Sequence, residues 1–407
     1  MSPSGEIALI LACLQSRYNP GDHNDLKASA GGVAWAGVLS IARRHGIVPL
    51  VHVSLSAGQA QLPESVESDL RREFHESAAN MFLHAAELLR LLNRLTERDI
   101  PALALKGPAL AALLYGKLSL RTVRDLDILV DKNQVGPALD ILRACGYAPV
   151  AGVEGAGPSV SGKLRKHILL THQEAGFSVE LHWAVADPSF ALELSFEKLW
   201  VDRQIVMVLD QPVATPGNED ALLMMCAHGT SHCWGSLKWI CDIAQAVSVQ
   251  PGLDWSRILV QAHGFGCSRM LFLGLALARE LCGVSLPEEL EPGVNSEKVV
   301  RLSREVKSAM FVEKAPLVNL ERTLTFIRSR ERFRDRIRIA LRFIAPELRP
   351  NARDRALVRL PDSLQFLYSP FRLVRVLLFC WKRAILPILR TALDSPRFRD
   401  WAASPPK

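Results

Sequence analysis

The sequence predicts a mixed α/β (α+β) protein, in which helical N- and C-terminal extensions flank a small mixed-sheet core. Apolar residues recur at helical spacing before residue 95 and again after Pro216. Between these regions, glycines separate short apolar strands from short helices. The 407 residues, 49% hydrophobic and 22% charged, suffice for a sizeable core. We therefore divide the chain into an N-terminal helical region, a core, a helical domain and a basic helical arm, at residues 1–98, 99–215, 216–320 and 321–407.

The chain has the features of a cytoplasmic protein. Residues 7–14 are apolar, but Glu6 and the lack of a basic segment before them argue against a signal peptide. The sequence contains no run of about 18 apolar residues, so we expect no membrane span. The eight cysteines form no Cys-x-x-Cys pair, which favours buried thiols in a reducing compartment over a disulfide or zinc framework.

Positive charge is concentrated at the C-terminal end. The net charge is +7, and residues 322–407 carry 20 Lys and Arg against 7 Asp and Glu. Such an arm suits an anionic partner, namely nucleic acid, a lipid surface or an acidic substrate, although a solvated helix face has the same composition. Apolar positions at helical spacing are expected to pack on the protein: Phe333, Ile337, Leu341 and Ile344. The arginines expected to face outward are Arg328, Arg330, Arg334 and Arg338.

The first elements of the core are a strand and a helix. Residues 102–105 form a short apolar strand that ends at Lys106-Gly107. Pro108 opens the helix, because its missing N–H costs nothing at a first helical position. The helix extends to Tyr115, after which a glycine can close it.

A strand with two acidic residues comes next, over residues 125–130. Because side chains alternate along a strand, Asp125 and Asp127 lie on one face, opposite an aliphatic face. Their Cα atoms are then roughly 6–7 Å apart, close enough for two carboxylates to repel each other.

A helix and a hairpin complete the core. Residues 132–145 have helical spacing and end at a glycine. Residues 164–172 and 177–183 predict two strands joined by a turn at 173–176. The second hairpin strand carries Glu180 as its one acid.

These three acids predict a metal site. A divalent cation between carboxylates removes their repulsion, and hard oxygen ligands suit Mg²⁺ or Mn²⁺. If the hairpin strand lies beside the Asp-x-Asp strand, Glu180 completes a two-metal site with Asp125 and Asp127. The alternative is that the aspartates form a solvated sheet rim or a structural cap.

The helix that starts after Gly107 is a candidate phosphate site. Free backbone N–H groups and the positive end of the helix dipole point to a bound anion there. Lys106, Arg121 and Arg124 add positive charge near this point. We therefore predict that these four residues bind the phosphates of a nucleotide.

A second polar cluster lies downstream. His228 and His232 are four residues apart on a predicted helix and share a face, and with Asp242 they could form a metal site. A packed polar network between helices and sheet is the more ordinary interpretation. In a third interpretation, these residues and His182 line the pocket for an acceptor.

Several segments, taken in order, resemble one known family. In the core they are Leu105-Lys106-Gly107, Leu114-Tyr115, Arg121 and Arg124-Asp125-Leu126-Asp127-Ile128-Leu129-Val130. Downstream they are Val179-Glu180-Leu181-His182-Trp183 and the helical residues His228, His232, Trp234, Leu237, Trp239 and Asp242. Together they resemble the uncharacterised bacterial nucleotidyltransferase family of the DNA polymerase beta nucleotidyltransferase superfamily, over about residues 39–242.

The resemblance implies the chemistry of the site. Asp125 and Asp127 would bind the metal, and Glu180 would help to activate the acceptor. The implied reaction moves a nucleoside monophosphate from a nucleoside triphosphate such as ATP to the hydroxyl of an unknown acceptor. The chain departs from the superfamily pattern at Pro108, because serine or glycine usually follows the helix-opening glycine.

Two other functions stay open at this point. One is a non-catalytic protein that binds a nucleotide or a partner in a biosynthetic assembly, and the missing serine allows it. The other is a metal-dependent phosphohydrolase centred on His228, His232 and Asp242.

Overall fold

A mixed sheet with helical segments before and after it forms the protein in a computed structural model, which confirms the predicted fold class. The structure describes residues 4–18, 26, 31–58, 60–150, 166–185, 192, 194–250, 252–311, 325, 327–339, 352–358 and 360–380. The chain divides into two compact units, Met1–Arg336 and Ile337–Lys407.

The helices fall into three groups along the first unit. Before the sheet are α1 (Gly5–Gln15), α2 (Trp35–His45), α3 (Val48–Ala57) and α4 (Glu64–Thr96). Among the strands are α5 (Gly107–Tyr115), α6 (Val135–Ala144) and α7 (Phe196–Val201). After them are α8 (Asn218–Ser231), α9 (Leu237–Val249), α10 (Trp255–Phe265), α11 (Ser268–Cys282), α12 (Glu291–Val294) and α13 (Glu297–Met310). The second unit contains α14 (Ala352–Leu357) and α15 (Tyr368–Cys380).

The main sheet, within the described residues, has the strand order β1–β2–β5–β4–β3. Its strands are β1 (Ala102–Ala104), β2 (Leu126–Val130), β3 (Tyr147–Pro149), β4 (His167–His172) and β5 (Ser178–His182). The central pair, β2 and β5, is parallel, and the other neighbouring pairs are antiparallel. A separate antiparallel hairpin consists of β6 (Gln204–Val208) and β7 (Gln211–Thr215).

One face of the main sheet packs against α4 and α6. The shared core cluster includes Leu88, Leu91 and Leu95 of α4, Leu142 of α6, Leu126, Ile128 and Val130 of β2, and Val179 and Leu181 of β5. Full burial of each large aliphatic side chain contributes about 1.5–3 kcal/mol. Because alternate side chains point to opposite faces, this packing holds the polar residues of β2 and β5 on the other face.

The link from β1 to β2 brings the start of α5 beside the first residues of β2. The Leu105 N–H donates to the Asp127 carbonyl at 3.0 Å. Gly107 has a φ of +61°, a left-handed conformation that favours glycine, and α5 starts there with Pro108 in its first turn. A Cβ on Gly107 would lie 3.6 Å from the Asp125 carbonyl oxygen, so the two segments are in close contact.

A buried histidine joins α2 to α9. His45 is 1% exposed, and its Nδ1 accepts a hydrogen bond from the Leu237 N–H at 3.2 Å. The His45 carbonyl accepts a second bond from the Ser236 hydroxyl at 2.7 Å. Burial, together with the charge of Arg44, lowers the pKa of His45 to about 4.

This histidine predicts an acid-dependent loss of stability. Between pH 6.5 and pH 4 the unfolded chain binds a proton at His45 that the folded protein does not, so stability falls as the pH falls through that window. The total loss from this group is about 3 kcal/mol, and no further loss follows below pH 4. Urea unfolding at several pH values measures it.

The matched variant is His45→Asn, whose amide oxygen can still accept the Leu237 N–H but does not titrate. We expect the free energy of unfolding of this variant to fall about 3 kcal/mol less than that of the wild type over the same window. Equal losses in both proteins would mean that other groups cause the acid sensitivity.

The apolar face predicted for the C-terminal arm is wrong at the positions that the structure describes. Phe333 is 74% exposed and Ile337 is 43% exposed. Arg330 is instead fully buried, with Nη2 2.9 Å from Oδ2 of the buried Asp335. A buried guanidinium needs a carboxylate partner, so Arg330 and Asp335 face inward and turn Phe333 to the solvent. The other arginines are exposed: Arg328, Arg334 and Arg338. The remaining apolar positions, Leu341 and Ile344, lie outside the described residues.

Two further expectations concern helices and thiols. None of the helices in the described part of the chain combines the length and the apolar character needed to cross a membrane. The cysteine side chains within the described residues form no disulfide. Several of these thiols are buried, and burial raises the pKa of Cys13 to about 12.

Candidate active site

The candidate site lies on the face of β2 and β5 that points away from the aliphatic core. Asp127 of β2 stands opposite Glu180 of β5 in the parallel register. Asp127 is 3% exposed, whereas Glu180 and Asp125 are partly buried. Asp125 comes directly before β2, and the charges of the other two acids act on it. The structure thus places Asp127 opposite Glu180, with Asp125 near enough for its pKa to respond to both charges; within the described residues the three carboxylates do not form a group whose oxygens all lie within 4.8 Å of one another.

Asp127 is the most enclosed of the three acids. Its Oδ1 accepts from the Lys106 ammonium at 2.8 Å and lies 3.1 Å from Nε2 of His182. Burial by itself raises the pKa of this carboxyl, but Lys106 and His182 outweigh it and hold the pKa well below its ordinary value. Asp127 is therefore ionised at neutral pH.

The pKa of Asp125 is shifted in the opposite direction from that of Asp127. Burial raises the pKa of Asp125, and the negative charges of Asp127 and Glu180 raise it further. Lys106 and Lys238 act in the other direction without reversing the shift. The carboxyls therefore repel one another, and a bound cation would relieve that repulsion.

Glu180 is flanked by two histidines. Its Oε2 lies 3.1 Å from Nε2 of His182, and its Oε1 lies 3.6 Å from Nε2 of His167. Burial favours a raised pKa of Glu180, yet the hydrogen bond from His182 leaves the pKa below its ordinary value. Burial also lowers the pKa of His167 to about 4, so this ring is neutral at neutral pH.

His167 is a site residue that the sequence argument missed. It lies on β4 directly opposite His182, and the two ring centroids are 4.9 Å apart. The predicted hairpin contained the signal, because the turn at 173–176 places His172 opposite Phe177. Counting back five pairs from there places His167 opposite His182.

The predicted phosphate-binding residues differ in their positions relative to the acids and to the solvent. Lys106 and Gly107 lie at the start of α5, beside the acids. Arg124 is exposed and comes directly before Asp125. Burial lowers the pKa of Lys238 to about 8, and the charges of Arg121 and Arg124 add to this effect. The site thus contains further positive charge that the sequence argument did not single out.

Arg121 has a different role from the predicted one. It is 5% exposed, and its Nη2 lies 3.0 Å from Oδ2 of Asp242 on α9. Its Nε contacts both oxygens of the same carboxylate, at 3.1 and 3.2 Å, and the Tyr115 hydroxyl donates to Oδ1 at 3.1 Å. Because the guanidinium and the carboxylate satisfy each other in the interior, the prediction of Arg121 as a phosphate ligand is corrected to a buried ion pair.

This pairing also argues against the alternative of a metal site at the downstream cluster. Asp242 is held by Arg121, and in the part of the chain that the structure describes its oxygens do not converge with the nitrogens of His228 and His232. The two histidine rings pack on each other, with centroids 4.6 Å apart, and each lies 5.2 Å from the Trp239 ring. His228 still lies near the acids, because the charges of Lys106 and Asp127 both affect its pKa, which burial lowers.

A small mixed sheet with flanking helices, two aspartates and a third acid is the arrangement that the resemblance implies for a nucleotidyltransferase. The sequence pattern of a family described as uncharacterised nucleotidyltransferase matches residues 31–283. The match spans more than half of the chain and contains every site residue named above, and the protein therefore belongs to this family.

A solved structure is also similar to part of this chain. The crystal structure of an antigenic nucleotidyltransferase-like protein from Paracoccidioides brasiliensis is similar over 54% of this chain and 94% of that chain. The two sequences are 16% identical over this region, and the TM-score is 0.32. No curated protein matches the chain.

Proposed function

We propose that this protein is a metal-dependent nucleotidyltransferase that moves a nucleoside monophosphate from a nucleoside triphosphate to the hydroxyl of an acceptor. The pairing of Asp127 with Glu180 in the sheet, with Asp125 close enough for its pKa to respond to both charges, supports this proposal. A hard divalent cation such as Mg²⁺ or Mn²⁺ would suit these carboxylates, because burial and the charges of Asp127 and Glu180 raise the pKa of Asp125 and a cation would favour its ionised form. Nucleoside triphosphates are cytoplasmic compounds, and we propose that the protein acts there.

The residues divide the work of the reaction. Asp125 and Asp127 would hold the metal, which when bound supplies Lewis-acid stabilisation of charge on the phosphate oxygens. Lys106 and the backbone N–H groups at the start of α5 would bind the triphosphate. The exposed Arg124 would add a further positive charge.

Glu180 is the proposed proton acceptor. It would take the proton of the acceptor hydroxyl as the acceptor oxygen forms a bond to the α-phosphorus. The bond from the α-phosphorus to the bridging oxygen breaks at the same time, and pyrophosphate leaves. His182 orients the Glu180 carboxylate through their 3.1 Å contact. His228, whose pKa responds to the charges of Lys106 and Asp127, would line the acceptor pocket.

The test uses the full chain with each α-labelled nucleoside triphosphate, Mg²⁺ and a pool of cell metabolites. We expect pyrophosphate release and a product that is heavier by one nucleoside monophosphate in mass spectrometry. Nucleotide binding without any product would instead favour the non-catalytic function. Phosphate release without nucleotide incorporation would favour hydrolysis, for which the structure provides no ligand set at His228, His232 and Asp242 within the described residues.

Magnesium should stabilise the folded protein. A ligand that binds only the folded state at 100 times its dissociation constant contributes about 2.7 kcal/mol. For a chain of this size we expect the melting temperature to rise by about 3–5 °C. Differential scanning fluorimetry with and without Mg²⁺ measures the shift.

Two variants show whether the rise in melting temperature comes from the proposed metal site. Asp125→Asn should abolish it, because the variant loses a metal ligand. Asp140→Asn, which changes an exposed acid that pairs with Arg143 on α6, should keep it. A full shift in Asp125→Asn would show that the ions bind elsewhere.

A further inference from the structure

Two imidazoles lie beside Glu180 of the candidate site, and the proposed reaction gives His182 only the orientation of that carboxylate and gives His167 no role. His167 and His182 face each other across the antiparallel β4–β5 pair. Both Nε2 atoms point to Glu180, one to each carboxylate oxygen, at 3.6 and 3.1 Å. One ligand atom from each of the three residues can be chosen so that all lie within 4.8 Å of one another.

The three side chains are close enough for one atom of each to approach the same metal ion. Ligand atoms about 2.1 Å from a tetrahedral metal ion lie about 3.4 Å from one another. The two Nε2 atoms lie 3.6 and 3.1 Å from Glu180, each from a different carboxylate oxygen, and both distances are near this value. Within the described residues, His167, Glu180 and His182 form the group of metal-ligating side chains whose ligand atoms all lie within 4.8 Å of one another.

We propose that His167, Glu180 and His182 bind a borderline transition-metal ion of the Zn²⁺ class. Imidazole nitrogens favour such ions, whereas Mg²⁺ favours carboxylate, carbonyl and water oxygens. Two nitrogens and one carboxylate form the protein ligand set of a catalytic zinc site, in which a further position is open to water or substrate.

The rigid sheet favours this assignment. His182 is 1% exposed, and its place on β5 is set by pairing with both β2 and β4. His167 and Glu180 extend from paired positions of the same sheet, so the three side chains need little reorganisation to meet one ion. The Nε2 of His182 lies 3.1 Å from both Glu180 and Asp127, which joins this ligand set to the aspartate pair.

The two metal positions would therefore differ in chemistry. Asp125 and Asp127 provide oxygen for Mg²⁺, and the histidine-rich position provides nitrogen for the second ion. The catalytic role of the second ion rests on the proposed function. In that role, the ion would lower the pKa of an acceptor hydroxyl bound at the open coordination position of the ion. The binding itself stands on the three side chains alone.

Cobalt titration tests the site without any activity assay. The full chain, freed of metal by a chelator, is titrated with Co²⁺ while the visible spectrum is recorded. We expect one equivalent to bind with the bands of nitrogen-ligated Co²⁺, to be displaced by Zn²⁺, and to persist in a 100-fold excess of Mg²⁺.

The variants assign the ligands. His167→Asn is the main variant, because His167 is only partly buried and its loss spares the interior. We expect it to weaken Co²⁺ binding at least about 100-fold, since loss of even an outer-shell partner costs about 10–100-fold. His182→Asn provides a second measurement, and His75→Asn, on the exposed surface of α4, should bind like the wild type.

The outcomes separate this inference from the proposed function. Asp125→Asn should keep Co²⁺ binding while it loses nucleotidyl transfer. Cobalt binding without any transfer activity would sink the proposed function and leave the metal site standing. Unchanged Co²⁺ affinity in both His167→Asn and His182→Asn, or displacement of Co²⁺ by equimolar Mg²⁺, would overturn the metal site.

Discussion

Replacing Asp125 with asparagine should lower the rate of nucleotidyl transfer by about 10³-fold. A metal ligand contributes several kcal/mol to stabilisation of transition-state charge, and each 1.36 kcal/mol corresponds to about a factor of ten. The initial rate of labelled nucleotide incorporation at saturating Mg²⁺ measures the loss. The proposed reaction depends on this carboxylate as a ligand of the metal.

The fold should survive this substitution, which makes the result interpretable. Asp125 is partly buried and is repelled by Asp127 and Glu180, so removing its charge should leave the melting temperature of the metal-free protein unchanged or raised. Asp140→Asn is the matched control for loss of one acid. Full activity in Asp125→Asn would exclude the aspartate pair as the catalytic metal site.

Breaking the buried ion pair between Arg121 and Asp242 should have the largest effect on stability. Removing one partner leaves the other charge buried, which typically costs about 3–5 kcal/mol. We therefore expect Arg121→Met and Asp242→Ala each to lower the free energy of unfolding by about that amount. Chemical denaturation of the purified variants measures both values.

A double-mutant cycle distinguishes a structural pair from two separate functional residues. If the pair is structural, the variant with both changes should lose clearly less stability than the sum of the single losses, because no charge remains unpaired. Arg143→Met, which disrupts an exposed pair with Asp140, should change stability by less than about 1 kcal/mol. Additive losses, or a specific loss of nucleotide affinity in a stable Arg121→Met, would return Arg121 to phosphate binding.

Interactions between neighbouring residues determine much of the fold, and those could be predicted from the sequence. The alternation of aspartates and aliphatic residues predicts β2, which the structure places at Leu126–Val130. Pro108 predicts the start of a helix, and α5 begins at Gly107. The hairpin predicted around a turn at 173–176 is the β4–β5 pair. Strand period, proline geometry and turn chemistry act over a few residues, which is why the sequence shows them directly.

The sequence also predicted that the three acids share one site. This followed from strand phase, because Asp125 and Asp127 share a face, and from the single acid in the hairpin strand. The parallel pairing of Asp127 with Glu180 was not visible in either strand alone, since pairing between distant strands depends on how the helices between them pack. His167 could have been named from the hairpin register, which is a local property.

Only the tertiary structure decided which buried charges meet. Arg121 and Asp242 are 121 positions apart, and neither has a local pattern that names the other. The same holds for Arg330, which is buried with Asp335 although the sequence predicts that it faces outward. Amphipathic spacing predicts which face of a helix is apolar and therefore buried. An ion pair between a guanidinium and a carboxylate can nevertheless place a different face toward the interior. The sequence by itself thus determined the helices, the strands and the acidic residues of the site. Tertiary packing decided which groups those charged residues contact, because the energy of a buried charge depends on the groups that the fold places beside it.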